Sequence, residues 1–238
     1  MDLFAVSLKA YTTRDIMKKN KKGNNAMSTP MKVSCKCFVC NNESNQTVLA
    51  STNRFGSPDL DLRPPEMERS TMHWWIQECP YCGYVAPRIK DKTTVDKSFL
   101  ESEEYIGCSN YEFKSSLAKQ FYKQYLINAA DKNHRSAFHS ALRAAWCCDD
   151  AIDCELAIVC RKLALSEIDH FIDENKKEKD TLLVMKSDLL RRSEMFDEVI
   201  ESYNPLDFKE ELLQKIIEFQ IKKSKEKDAS CYRVDQTL

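Results

Sequence analysis

The sequence predicts an α+β chain in which a small β module precedes an all-helical domain. Three observations predict this. Of 238 residues only four are glycine, none of them after Gly107, and six of the seven prolines (all but Pro205) lie before residue 90. From Phe113 onward, apolar residues recur at helical spacing. Two Cys-x-x-Cys pairs, Cys37/Cys40 and Cys79/Cys82, fall in the Gly- and Pro-bearing N-terminal part.

The chain divides accordingly into a basic tail (1–32), a cysteine-bearing β module (33–90), a linker (91–112), a helical domain (113–231) and a short tail (232–238). The first 33 residues carry seven basic side chains against two acidic ones and show no periodicity, so disorder is expected there. Met27 and Met31 lie just before the first β-prone stretch and are candidate translation starts. In the β module, Gln46–Ala50 is β-prone. Met72, Trp74 and Ile76 alternate with His73, Trp75 and Gln77, the pattern of a half-buried strand leading into the second cysteine pair.

The helical domain reads as six segments. Phe113, Leu117, Phe121 and Tyr125 make one apolar stripe; Phe138, Leu142, Ala145 and Trp146 make a second. Ile152, Leu156, Val159, Cys160, Leu163, Ile168 and Phe171 make a third, apolar on two sides. Leu182–Leu190, Phe196–Tyr203 and Phe208–Phe219 complete the series. The separators are short, which makes consecutive helices antiparallel neighbours. Ser187–Leu206 places packing residues where a tetratricopeptide unit needs them, and Ala141–Ala164 does so more loosely. Their offset of about 42 residues departs from the regular ~34. The expected domain is tetratricopeptide-like, and an ordinary helical bundle is the plainer alternative.

The chemistry lies in Cys37-Phe-Val-Cys40 and Cys79-Pro-Tyr-Cys82-Gly83. A Cys-x-x-Cys turn aims two thiolates at one metal, and two such turns close a tetrahedral four-sulfur site that suits Zn²⁺. Gly83 fits the tight turn after the second pair. Asn41 holds the equivalent place after the first, and asparagine tolerates a left-handed backbone. The expected ligands are Cys37, Cys40, Cys79 and Cys82 around one structural zinc ion, in the layout of a zinc ribbon. Four thiolates leave no open coordination position, so catalysis at this metal is not expected. Cys35 and His73 are weaker candidate ligands. Cys147, Cys148, Cys154 and Cys160, with His139 nearby, invite a second metal site, but cysteine is a common small core residue and core packing is the stronger reading. Trp146 also reads as core. Cys108 and Cys231 are isolated.

Between the pairs lies the insert Asn53–Glu66, with Asp59, Asp61, Arg54, Arg63 and Phe55. It reads either as a recognition loop or as a long loop fixed by Arg54 and Arg63 pairing with the two carboxylates.

The stretches Phe55-Gly56-Ser57-Pro58-Asp59-Leu60-Asp61-Leu62-Arg63-Pro64 and Trp74-Trp75-Ile76-Gln77-Glu78-Cys79-Pro80-Tyr81-Cys82-Gly83-Tyr84 resemble an uncharacterised bacterial family, as does Leu142–Asp150. The resemblance covers roughly residues 33–90 well and the helices loosely. It implies an N-terminal four-cysteine zinc ribbon, a C-terminal tetratricopeptide-like domain and metal ligation by Cys37, Cys40, Cys79 and Cys82. It implies no activity. Asn41, where glycine is more usual, departs from the pattern.

Composition narrows the function classes. No GxGxxG or GxxxxGK occurs, which excludes a glycine-rich phosphate-binding enzyme of those types. Residues 34–90 carry six charges of each sign and the remainder is mildly acidic, which does not favour a nucleic-acid binder, although Trp74 and Trp75 could stack on bases. No apolar run approaches the ~20 residues of a membrane span, and no secretory signal is evident, so a reducing cytoplasmic setting is expected. The expected function is a non-enzymatic zinc-binding scaffold or adaptor with a protein or peptide partner. A nucleic-acid-binding ribbon, and an enzyme using Asp59, Asp61 and Arg63, are the alternatives.

Overall fold

A computed structural model describes residues 28–107 and 111–238. The expected disordered tail up to residue 27, the candidate start Met27, and Cys108 lie outside the described residues. The chain forms two units: Ser28–Thr52 with Ser70–Phe171, and Asn53–Arg69 with Ile172–Leu238. The insert between the cysteine pairs therefore groups with the C-terminal helices rather than with the rest of 33–90.

In the first unit, strands β1 (Thr29–Lys36) and β2 (Glu43–Ser51) form an antiparallel hairpin with Met31 opposite Val48 and Cys35 opposite Ser44. The first strand thus begins inside the segment expected to be tail, and Met31 lies within it. The β-branched residues Thr29, Val33, Thr47 and Val48 suit an extended backbone. The predicted strand Met72–Gln77 is instead a 3-10 helix, Arg69–Trp74, followed by a two-residue strand β3 (Gln77–Glu78) paired with β4 (Val85–Ala86). The physical reason is visible in the burial: Thr71, Met72, Trp75 and Ile76 face inward, a helical rather than an alternating set. The indole N–H of Trp75 donates to Thr71 Oγ1 at 2.9 Å across that turn.

The expected linker holds two one-turn helices, α1 (Lys97–Leu100) and α2 (Glu103–Ile106), N-capped by Asp96 and Ser102. They bury Leu100 and Tyr105, and the Tyr105 hydroxyl donates to the Gly83 carbonyl at 2.6 Å. Helix α3 (Ser116–Ala130) starts at the Ser115 cap, later than Phe113, whose ring packs with Tyr111 and Tyr122. A turn with Lys132 at φ 56° leads to α4 (His134–Asp150), N-capped by Asn133. Asn128 of α3 donates to Ser140 of α4 at 2.9 Å. Most of α4 is buried, including Ala137, Ala141, Ala144 and Ala145, whose small side chains admit close neighbours.

Helix α5 (Cys154–Glu174) meets α4 through Phe138–Phe171 ring contact and the Arg161–Asp149 ion pair. Ile152, expected on its apolar face, lies in the preceding turn at φ 54° and is 76% exposed. The inward face is Ala157, Cys160, Ala164, Ile168 and Phe171, so Leu156, Val159 and Leu163 are only half-buried.

In the second unit, α6 (Lys179–Arg192), α7 (Phe196–Tyr203) and α8 (Glu211–Lys225) pack together around Leu182, Leu189, Val199, Leu213, Ile216 and Ile217. A fully buried Arg191 organises their polar centre. Its Nε donates to Gln220 at 2.5 Å, Nη2 to Asp188 at 2.8 Å and Nη1 to the Asp228 carbonyl at 2.6 Å, with Tyr232 under the guanidinium. The expected tail 232–238 is structured: Val234 is buried, and a 3-10 turn spans Val234–Thr237. Its backbone runs antiparallel to the insert, with Leu60 N–H donating to Tyr232 and Val234 N–H to Pro58. Alternating inward residues, Tyr232 and Val234, were too few to register as a pattern in the sequence.

Two outcomes follow from the buried charges. Arg191→Ala leaves the Asp188 carboxylate buried without its cation and is expected to cost about 3–5 kcal/mol, read from urea unfolding; a loss under about 1 kcal/mol would remove Arg191 as the organising group. In the first unit, burial, and then the positive charges of Arg143 and Arg135, hold the His139 imidazole well below its usual 6.5. The folded state therefore favours the neutral ring. That contribution is complete above pH 6.5 and is lost as pH falls below it, so His139→Gln should flatten the stability–pH profile between pH 6.5 and 5 relative to the parent.

Candidate metal centre

The two cysteine turns fold alike because their backbones are wired alike. Cys37 N–H donates to Asn42 O and Asn41 N–H to Cys37 O. Cys79 N–H donates to Tyr84 O and Gly83 N–H to Cys79 O. Each turn closes through a left-handed residue just after the second cysteine, Asn41 at φ 61° and Gly83 at φ 72°. Asparagine is among the few side-chain-bearing residues that adopt this conformation readily, so the departure from glycine at 41 leaves the turn intact.

The turns bring Cys37, Cys40, Cys79 and Cys82 together, with a sulfur from each within 4.8 Å of the others. Cys37 and Cys82 sulfurs are 3.7 Å apart, and Cys40 and Cys79 sulfurs 3.6 Å. A disulfide is excluded at those distances, since it needs about 2.05 Å. A tetrahedron with metal–sulfur bonds of about 2.3 Å has edges of ~3.8 Å, so these four residues could hold one metal ion with little movement. Backbone N–H groups of Val39 and Cys40 point at the Cys37 sulfur, that of Asn42 at Cys40 and that of Tyr84 at Cys82. The Asn42 side-chain amide approaches Cys40 at 3.5 Å. Burial raises the Cys37 and Cys82 thiols. At Cys40, burial is outweighed by the Asn42 N–H and the neighbouring thiols, which bring it down to about 7. A thiolate is thus accessible within the cluster near neutral pH, as metal loading requires.

The surroundings hold the turns in place. Gln46 of β2 donates to the Glu78 carbonyl at 3.2 Å, and Gln77 Oε1 accepts the Ile89 N–H at 3.0 Å. Glu78 itself receives Gln120 at 2.9 Å and Lys123 at 3.1 Å from α3.

The remaining candidates fall elsewhere. Cys35 is buried in β1 outside the cluster, and His73 is exposed on the 3-10 turn. Cys147, Cys148 and Cys160 are buried in α4 and α5, where the Cys148 thiol and burial push the Cys160 thiol far up. Cys154 is exposed at the start of α5, a correction to its expected core role, because the helix begins there and turns that residue outward. Trp146 is buried, as expected. Among the described residues no second group of three or more histidine, cysteine or carboxylate side chains comes together in this way. Trp75 is buried, so it does not offer a free face for base stacking.

In the insert, cations from outside it join Arg63 around the two carboxylates: the Arg63 N–H bonds Asp61 at 3.2 Å, and the Arg63 charge favours the Asp59 carboxylate. Asp59 pairs with Arg69 at 2.6 Å, Asp61 with Arg192 at 3.1 Å, and Arg54 with Glu68. Asp59, Asp61 and Arg63 are all buried. What sequence reasoning missed near the metal centre is the exposure of Phe38 and Tyr81, 41% and 64%, on the two cysteine turns. The signal was present, since both are x residues of Cys-x-x-Cys turns and so point away from the sulfurs. No family model, curated protein or solved structure matches the chain. No helix among the described residues is long and apolar enough to cross a membrane.

The metal centre can be tested directly. Cobalt titration of the reduced protein should saturate at one equivalent with thiolate charge-transfer absorption, and Cys79→Ser should abolish that signal. Chelation should release the ion and disorder the cysteine turns while most far-UV helical signal persists, because the helices have their own apolar core. Absence of any bound metal in protein purified under reducing conditions would refute the assignment.

Proposed function

We propose that this is a non-enzymatic protein-interaction protein, a scaffold or adaptor, whose N-terminal zinc ribbon is held by one structural Zn²⁺ on Cys37, Cys40, Cys79 and Cys82. The observation that carries the reading is the all-thiol donor set at near-tetrahedral spacing. Such a set fills the coordination sphere and leaves the ion no open position for a substrate or water. The buried, ion-paired state of Asp59 and Asp61 argues in the same direction, since neither carboxylate is offered to a substrate as placed. The exposed Phe38 and Tyr81 support a contact role, aromatic rings being enriched at protein interfaces. The family resemblance of the ribbon motifs and the tetratricopeptide-like reading of the helices belong to the same proposal. Helical hairpins offer surfaces suited to peptides, and the expected setting is the cytoplasm.

The test is affinity capture from the native cytosol with the zinc-loaded protein, in parallel with a Phe38→Ala/Tyr81→Ala variant and with nuclease treatment. The expected result is a protein partner that survives nuclease and is depleted at least ten-fold by the double substitution. A captured species lost on nuclease treatment would turn the reading to nucleic acid.

A further inference from the structure

The insert motif around Phe55 and the C-terminal segment jointly wall a cavity of about 340 Å³, and it belongs wholly to the second unit. We propose that this cavity binds an α-carboxylate carried beside an apolar side chain, as at the end of a peptide or in a free apolar amino acid.

The cavity is lined by Phe55 and Pro65, by the cations Arg69 and Arg233, and by the carboxylates Glu66 and Asp235. Its volume lies at the small end of ligand sites, about 300–1,000 Å³, which suits a residue-sized group and not a nucleotide. The two arginines are held differently. Arg69 is fixed at its base, with Nε donating to the Pro64 carbonyl at 2.9 Å and Nη2 on Asp59 at 2.6 Å. Arg233 engages Asp235 through Nε alone, at 3.0 Å, and its side chain is 53% exposed. Its two terminal nitrogens form the planar fork that matches a carboxylate.

The charge balance disfavours a multiply charged anion. Two cations face two carboxylates in the lining, and Asp59 already offsets Arg69. A doubly charged phosphate would meet a wall with no net positive charge, whereas a ligand that carries a carboxylate for the Arg233 fork beside an N–H or ammonium for Glu66 or Asp235 sets each of its polar groups against a lining group of opposite character. Beside the fork, Phe55 is 46% exposed. An apolar side chain on the ligand would cover that ring. Glu66 and Asp235, also in the lining, are acceptors of the kind an adjacent amide N–H or ammonium requires. The geometry is set by the fold: Asp235 N–H bonds Ser57 Oγ at 3.1 Å, and Val234 N–H bonds the Pro58 carbonyl at 2.9 Å, fixing the C-terminal segment against the Phe55 turn.

In its peptide form the inference rests on the protein-interaction reading above; in its free amino-acid form it does not. The test uses the full zinc-loaded chain and a fluorescein-labelled pentapeptide ending in phenylalanine, as free acid and as C-terminal amide, read by fluorescence polarisation. The acid should bind, the amide at least ten-fold more weakly. Arg233→Gln and Phe55→Ala should each weaken the acid ten-fold while leaving the far-UV spectrum and urea midpoint unchanged. Competition by free phenylalanine at concentrations comparable to unlabelled peptide acid assigns the amino-acid source, and failure to compete assigns the chain terminus. Equal binding of acid and amide, or no binding of either to the folded protein at millimolar concentration, would overturn the proposal. That failure leaves partner capture through Phe38 and Tyr81 untouched, so the two readings fall separately.

Discussion

Four sulfur atoms gathered from two turns 38 residues apart are the constraint on which the cysteine-bearing β region depends. The β-structure around them is too slight to explain their meeting. β3 and β4 pair over two residues each, and the hairpin β1–β2 is largely exposed. A two-stranded hairpin alone is marginal in water. A metal ion held by the four thiolates would add to the local apolar burial of Tyr84, Val85 and Ile89, because ligation free energy becomes folding free energy. Once the turns are fixed, other contacts can form on them. Tyr105 reaches the Gly83 carbonyl, Gln46 and Gln77 bracket the second turn, and Glu78 collects Gln120 and Lys123. Each of these is a polar contact at or beside the second turn, which its own backbone hydrogen bonds close.

The insert is held by a different force. Asp59 and Asp61 lie two residues apart and are both buried, so each raises the cost of ionising the other. Burial, and then the Asp61 charge, raise the Asp59 carboxyl above its ordinary value. Such a pair survives in a folded chain only where cations and hydrogen bonds offset the lost hydration. Arg69 and Arg192 supply that for the two carboxylates, and Arg63 N–H bonds Asp61 at 3.2 Å. The acidic residues that invite a catalytic reading therefore act as anchors joining the insert to α6 and its own flank. Removal of one partner is costly in such an arrangement, which makes these positions poor places to look for ligand contacts and the exposed Phe55 and Arg233 better ones.

The parts of this molecule legible in the sequence are those governed by local chemistry. Paired Cys-x-x-Cys turns, the left-handed positions Asn41 and Gly83, and a glycine-free run of helical periodicity each follow from a few neighbouring residues. The parts that escaped are non-local or degenerate. Arg192 lies 131 positions from Asp61, and no spacing rule connects them. Met72–Gln77 alternates in hydropathy, yet the same residues satisfy a helical turn once Thr71 accepts the Trp75 N–H. Ile152 looks like the first member of an apolar stripe. The chain needs a left-handed residue to turn from α4 into α5, and Ile152 takes that place with its side chain outward. Cys154 moves outward for the same reason, since the helix starts two residues later than the stripe suggests.

The aromatic residues of the first unit sharpen the distinction between folding and contact. Trp75, Tyr84, Tyr105, Phe121, Phe138 and Trp146 are buried and contribute to the core. Phe38 and Tyr81 are exposed, and each leaves apolar ring area uncovered on folding. A Cys-x-x-Cys turn needs its cysteines and its left-handed closing residue, and places little demand on the two residues between. Exposed apolar rings at such positions are not required by the turn, and each exposes surface that a polar residue would not. Folding alone therefore gives no account of why a phenylalanine and a tyrosine stand there, one on each turn, flanking the Cys37–Cys82 sulfur pair. A partner that covers them would supply the burial that the chain by itself does not, and the metal would hold both rings at fixed positions before that partner arrives.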